Sequence, residues 1–117
     1  MKKTLFIDID GTLIKHKGNL SKQVLEKAEL LPGVLEKLNQ WDADGHKIIL
    51  TTGRKESMRK ATEIQLSEFG IFYDQLIMGL NRGERIIIND GKSDSDMITA
   101  SAIQPIRNEG LINIEIK

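Results

Sequence analysis

Short apolar runs that each end in polar residues set the fold of this chain. Leu5-Phe6-Ile7 runs into Asp8-Ile9-Asp10-Gly11, and Ile48-Ile49-Leu50 runs into Thr51-Thr52-Gly53. A third run, Ile86-Ile87-Ile88, leads into Asn89-Asp90-Gly91. Continuous apolar stretches of this length suit parallel strands covered on both faces, where neither face meets solvent. Segments of helical spacing separate them. Pro32-Gly33 opens one, Val34, Leu35, Leu38 and Trp41 line its apolar side, and Asp44-Gly45 closes it. Met58, Ala61, Ile64, Gln65 and Leu66 give a second helix from Glu56 to Phe69, stopped by Gly70. A shorter helix is expected from Ser21, its N-cap, to Leu30. Strands are expected over Thr4 to Ile9, Lys47 to Thr52, Gln75 to Met78, Arg85 to Asn89 and Ala102 to Ile106. Leu111 to Ile116 alternates apolar with polar residues and reads as an edge strand. This order predicts an α/β fold: a three-layer, doubly wound, Rossmann-like and mainly parallel sheet. Ligands of such sheets bind beyond the carboxyl ends of the strands.

Bulk properties narrow the function. The 117 residues are expected to form one domain, residues 1–117. Lys plus Arg and Asp plus Glu are both 17, so no overall positive field draws the chain to nucleic acid or to an anionic membrane. An anion site must therefore be built locally. With no cysteine, disulfides, thiolate metal sites and cysteine nucleophiles are excluded. No stretch has the length of a membrane helix, and Met1-Lys2-Lys3-Thr4 enters the first strand without a signal-peptide core. A cytoplasmic location is expected.

Asp8 and Asp10 carry the first chemical signal. Residues i and i+2 of a strand point the same way, so both carboxylates are expected at one strand tip. Two close anions repel unless a cation joins them. The pair therefore reads as a divalent-metal site, most naturally Mg2+, with carboxylates available as acid, base or nucleophile. The plain alternative is a strand end whose Asp-x-Asp-Gly merely makes a turn.

Asp8-x-Asp10-Gly11-Thr12-Leu13 is followed by a strand ending in Thr52-Gly53-Arg54 and another ending in Asp90. That ordered set resembles the haloacid dehalogenase (HAD) superfamily of phosphohydrolases, over residues 4 to about 96. The resemblance implies a Mg2+-dependent phosphomonoesterase. Asp8 would attack phosphorus and form an aspartyl-phosphate. Asp10 would protonate the departing alcohol and then deprotonate the hydrolytic water. The metal would be held by Asp8, the Asp10 carbonyl and Asp90, with Asp94 as an outer acidic partner and Asp96 solvated. Thr52 would donate to a phosphoryl oxygen, with Thr51 as the neighbouring alternative. Gly11, Thr12, Gly53 and Arg54 complete the expected substrate-binding set, through backbone N–H groups and a guanidinium.

The chain departs from the superfamily pattern twice. No lysine precedes the strand ending in Asp90, where the motif places one to clamp nucleophile and phosphate. Arg82 is the best stand-in; Arg85 is expected to be exposed, and Lys92 could reach in from the next loop. Asn89 stands where the fourth motif usually has its first acidic residue. His46 reads as a helix-end residue, Trp41 as core, and His16 as a loop residue near the nucleophile. Arg54, Lys55, Arg59 and Lys60, mixed with Glu56 and Glu63, read as a charged helix face.

Neither residues 14–51 nor residues 55–85 have room for a cap domain, so the resemblance is to small capless phosphatases. These include sugar-phosphate phosphatases and the phosphatase half of polynucleotide kinases. The absence of a basic excess favours a phosphorylated sugar or similar small metabolite over a nucleic-acid end. A neighbouring copy of the chain could shield the open site. A polynucleotide 3′-phosphatase, a phosphotransferase and a non-catalytic binding module are the other readings.

Overall fold

A computed structural model of the chain describes residues 1–93 and 96–117. Thr4–Asp8 (β1), Lys47–Thr51 (β2) and Gln75–Ile77 (β3) form a parallel sheet in the order β1-β2-β3. The helices are Leu20–Leu25 (α1), Val34–Ala43 (α2) and Arg59–Glu68 (α3), the last preceded by a 3-10 turn over Glu56–Met58. This is the expected α/β architecture with parallel strands, and no cap is inserted among the described residues.

Register explains which residues reach the core. Leu5 pairs with Ile48, and Ile7 with Leu50, which pairs in turn with Leu76. Cross-strand partners share a face. That face joins Val34, Leu38 and Trp41 of α2 and Leu66 of α3 in one buried cluster. Phe6, on the other face, is 55% exposed. Pro32-Gly33 opens α2 as expected, and Gly33 adopts a φ of 77° against Ile112, where a Cβ would come within 2.7 Å of Ile112 Cγ1. The short helix differs from expectation. Its cap is Asn19, whose Oδ1 accepts the Lys22 amide at 2.9 Å, and it ends at Leu25 rather than Leu30.

The second half departs further. Arg85 to Asn89, Ala102 to Ile106 and Leu111 to Ile116 are not strands. Ile86 and Ile88 are 75% and 94% exposed, and the run does not pair with β1, which stays at the sheet edge. A strand exists only where a partner receives its N–H and C=O groups, and that partner is not encoded locally. The C-terminal segment is instead a strap. Leu111 is buried, its amide donates to the Pro32 carbonyl at 2.9 Å, and Ile114 and Ile116 lie against the core. No helix is long and apolar enough to cross a membrane among the described residues.

Candidate active site

Asp8 ends β1, and beyond it the chain makes a tight turn that seats Asp10. The amides of Thr12, Leu13 and Ile14 all donate to the Ile9 carbonyl, at 3.2, 2.9 and 3.1 Å, and the Gly11 amide donates to Ile14 O at 2.7 Å. Gly11 takes a φ of 93°, which a side chain would strain, and Ile9, Leu13 and Ile14 are buried. The turn is therefore anchored in the core. Its amides at Gly11 and Thr12 are spent inside it, so they do not form the phosphate cradle expected for these residues.

Asp10 belongs to a buried polar network. Arg54 Nε donates to Asp10 Oδ2 at 2.9 Å and Nη2 to Oδ1 at 2.7 Å, a two-point charge-assisted pair. Arg54 Nη1 donates to Thr62 Oγ1 at 3.1 Å and Gln65 Oε1 at 2.7 Å, both on α3. The arginine is 0% exposed. It was expected to face an incoming anion; the structure places it beneath the site, holding Asp10. Gln23 completes the clamp. Its Nε2 donates to Asp10 Oδ1 at 2.6 Å and to Lys15 O at 3.1 Å, while its carbonyl accepts from Gln65 Nε2 at 2.8 Å. The Lys17 amide donates to Gln23 Oε1. Through these bonds α1 and the preceding loop are stitched to α3 around one carboxylate. Sequence reading gave Gln23 no role; a glutamine in a polar stretch carries no local signal.

Asp8 faces a different cation. Arg85 Nη2 lies 3.7 Å from Asp8 Oδ1, and Arg85 Nη1 is held by the carbonyls of Asn81 and Gly83, each at 3.1 Å. Arg85, not Arg82, is thus the arginine at the expected nucleophile; Arg82 is exposed and makes no ion pair among the described residues. The Asp8 side chain is 46% exposed. Burial pushes its carboxyl above the usual value, Asp10 adds to that, and Arg85, the Ile9 amide and His16 pull it down.

Thr52 is buried, and its Oγ1 accepts the Arg54 amide at 3.1 Å. Thr51 is the register partner of Asp8 and so shares its face of the sheet. Gly53 packs under the Leu80 carbonyl, 3.4 Å from where its Cβ would stand. His16 is tied in by backbone and ring: its N–H donates to Asn108 Oδ1 at 2.7 Å and its Nδ1 accepts the Gly18 amide at 3.1 Å. The expected metal ligands are not gathered. Asp90 is exposed, Asp94 lies outside the described residues, and no three His, Asp or Glu side chains converge among the described residues. The described residues alone therefore do not fit a complete Mg2+ site.

Residues 2–104 match the family described as the polynucleotide kinase PNKP phosphatase domain. Among solved structures, the chain is similar to one from a Pnkp1/Rnl/Hen1 complex, with 30% identity and a TM-score of 0.60 over 74% of this chain. A chain of the Pnkp1/Rnl/Hen1 RNA repair complex aligns at 27% identity and a TM-score of 0.58 over 81% of this chain. The alignments cover only 31% and 28% of those longer chains. A structural-genomics target from Vibrio cholerae shares the fold, at 22% identity and a TM-score of 0.54, over 74% of this chain and 80% of its own. No curated protein matches by sequence.

Proposed function

This chain belongs to the family of polynucleotide kinase PNKP phosphatase domains, within the HAD superfamily of phosphatases, and from that membership we propose that it hydrolyses a terminal 3′-phosphate of a polynucleotide. The observation that carries the reading is the Asp8–Asp10 pair in which each carboxylate has its own arginine. Asp8, half-exposed, is the nucleophile. Asp10, held by Arg54 and Gln23, is the group to which the resemblance assigns proton transfer, and it must take up the proton it then delivers. One Asp8 oxygen attacks phosphorus as the bond to the 3′-oxygen breaks, and Asp10 gives that oxygen its proton. Water then attacks the aspartyl-phosphate, Asp10 takes back a proton, and inorganic phosphate leaves with Asp8 regenerated. Arg85 offsets the repulsion between Asp8 and the incoming phosphate.

Mg2+, which phosphatases of this superfamily generally use, is the cofactor the resemblance implies, although among the described residues Asp90 is exposed and no third acidic side chain joins Asp8 and Asp10. Bound there, it would screen charge at the phosphoryl group; the steps above are those of the chain's own residues.

A net charge of 0 favoured a sugar phosphate on the sequence alone. It excludes a protein-wide field, but not a locally built anion site. Two similar structures are chains of Pnkp1/Rnl/Hen1 complexes, one of them described as an RNA repair complex, and that shifts the choice toward a strand end. Turnover of 3′-phosphorylated RNA and DNA oligonucleotides, compared with a panel of sugar phosphates in Mg2+ buffer, tests it. The reading expects kcat/KM to be higher on the oligonucleotides by roughly 10²-fold or more, the selectivity that binding a longer substrate can supply. Preference for the sugar phosphates would overturn it.

A further inference from the structure

Arg107 sits on the Asp10–Gly11 turn. A Cβ built on Gly11 would stand 3.3 Å from Arg107 Cγ and 3.8 Å from its Nε. The side chain is exposed and makes no ion pair among the described residues. It is also a surplus charge here, since Asp10 is neutralised by Arg54 and Asp8 faces Arg85.

Its place is fixed by its neighbours. Asn108 adopts a φ of 65°, sparsely used by non-glycine residues, and locks onto the turn through three bonds. Its amide donates to Gly11 O at 2.8 Å, its Oδ1 accepts the His16 amide at 2.7 Å, and its Nδ2 donates to His16 O at 3.3 Å. Two residues on, Gly110 has a φ of 81° and lies so close to Pro32 that a Cβ would fall 2.1 Å from the Pro32 carbonyl oxygen. Leu111 then plugs into the core. The strap thus holds an unpaired guanidinium over the turn that carries Asp10, on the Gly11 side. It also lies past residue 104, where the match to the family ends.

Resting on the reading of the chain as a polynucleotide phosphatase, we propose that Arg107 forms a second anion subsite. It binds the phosphodiester next to the terminal phosphate, while Arg85 serves the phosphate that reacts. A guanidinium suits this, because its fork of donors matches phosphate oxygens and its charge persists at any working pH.

The test compares two substrates that differ by that group: a 3′-phosphorylated oligonucleotide, and a nucleoside 3′-phosphate that has no phosphodiester. Arg107→Ala is expected to lower kcat/KM on the oligonucleotide about tenfold more than on the nucleoside 3′-phosphate, through KM rather than kcat. The salt dependence of the oligonucleotide KM should fall by about one unit of log-log slope. Arg107→Lys, which keeps the charge, should restore most of the difference. Equal losses on both substrates, or none, would overturn the subsite while leaving the phosphatase reading intact. A wild-type protein that turned over the nucleoside 3′-phosphate but not the oligonucleotide would overturn both.

Discussion

Arg54 grips Asp10 at two points, Nε to Oδ2 at 2.9 Å and Nη2 to Oδ1 at 2.7 Å, with the guanidinium wholly buried. The pair joins the end of β2 to the turn after β1, and Thr62 and Gln65 take the remaining outer nitrogen. A buried ion pair is weak evidence for net stability, because both ions lose hydration. Removing one partner is a different matter. Arg54→Ala would strand Asp10 and leave Thr62 and Gln65 short of a donor, so it should destabilise the fold by about 3–5 kcal/mol. Arg54→Lys keeps the charge but not the fork, and should recover only part of that. Denaturant unfolding of the two variants checks the order.

Gln23 gives a milder and more specific prediction. Among the described residues it is one of two whose side chains donate to Asp10, at 2.6 Å, the other being Arg54. Gln23→Ala should cost about 1.5–3 kcal/mol of stability, the range for a hydrogen bond to a charged group. Activity should fall in kcat more than in KM if Asp10 moves a proton, as proposed, rather than binding substrate. Gln23→Glu puts a like charge beside Asp10 and should shift the pH profile of kcat as well. A KM effect with unchanged kcat and pH profile would assign Gln23 to binding instead.

Asp8 couples activity to stability through its proton. Burial is the largest influence on its carboxyl and raises it above the usual value. The folded state therefore holds this proton more tightly than the unfolded chain. The resulting stability is full below the unfolded value and is lost as pH rises through the folded one. Asp8→Asn carries no charge, so it should melt higher than wild type near neutral pH, and the gain should vanish in acid. The same variant should lose roughly 10⁴-fold or more of turnover, as expected for a missing nucleophile. For wild type, kcat/KM should fall as pH drops through the raised value, because the nucleophile must be ionised. Thermal melting of both proteins across a pH series reads the stability half.

Gly110 tests the strap. Its φ of 81° and the 2.1 Å approach of a Cβ to the Pro32 oxygen leave no room for a side chain. Gly110→Ala should destabilise the fold by about 1–3 kcal/mol from the backbone conformation alone, with the clash in addition. Gly83→Ala, in open space, should be close to neutral. Equal melting temperatures for the two variants would mean that the strap is not seated as described.

Much of this was legible from local pattern. β1, β2 and β3 follow from short apolar runs, and α2 and α3 from helical spacing with glycines where they stop. Asp8 and Asp10 stood out because two carboxylates after a buried run need an explanation. What sequence could not supply is pairing at a distance. The run Arg85 to Asn89 has strand composition, yet strand formation depends on a partner edge that no local pattern encodes. Arg54 was visible as a charge after a strand, but its direction is set by Asp10, 44 residues earlier in the chain. Arg85 is exposed as expected, but its place beside Asp8 follows from the carbonyls of Asn81 and Gly83, which no local pattern encodes. Asn19 rather than Ser21 caps α1, and since both residue types make good caps the pattern alone does not choose between them.

The central claim is that Asp8 is the nucleophile of a phosphatase acting on strand ends. The most direct measurement is release of inorganic phosphate from a 3′-phosphorylated oligonucleotide with Mg2+, by wild type and by Asp8→Asn. Wild type should release phosphate and leave a 3′-hydroxyl, while the folded variant should release none above background. Equal release by both, or none by wild type, would contradict the account.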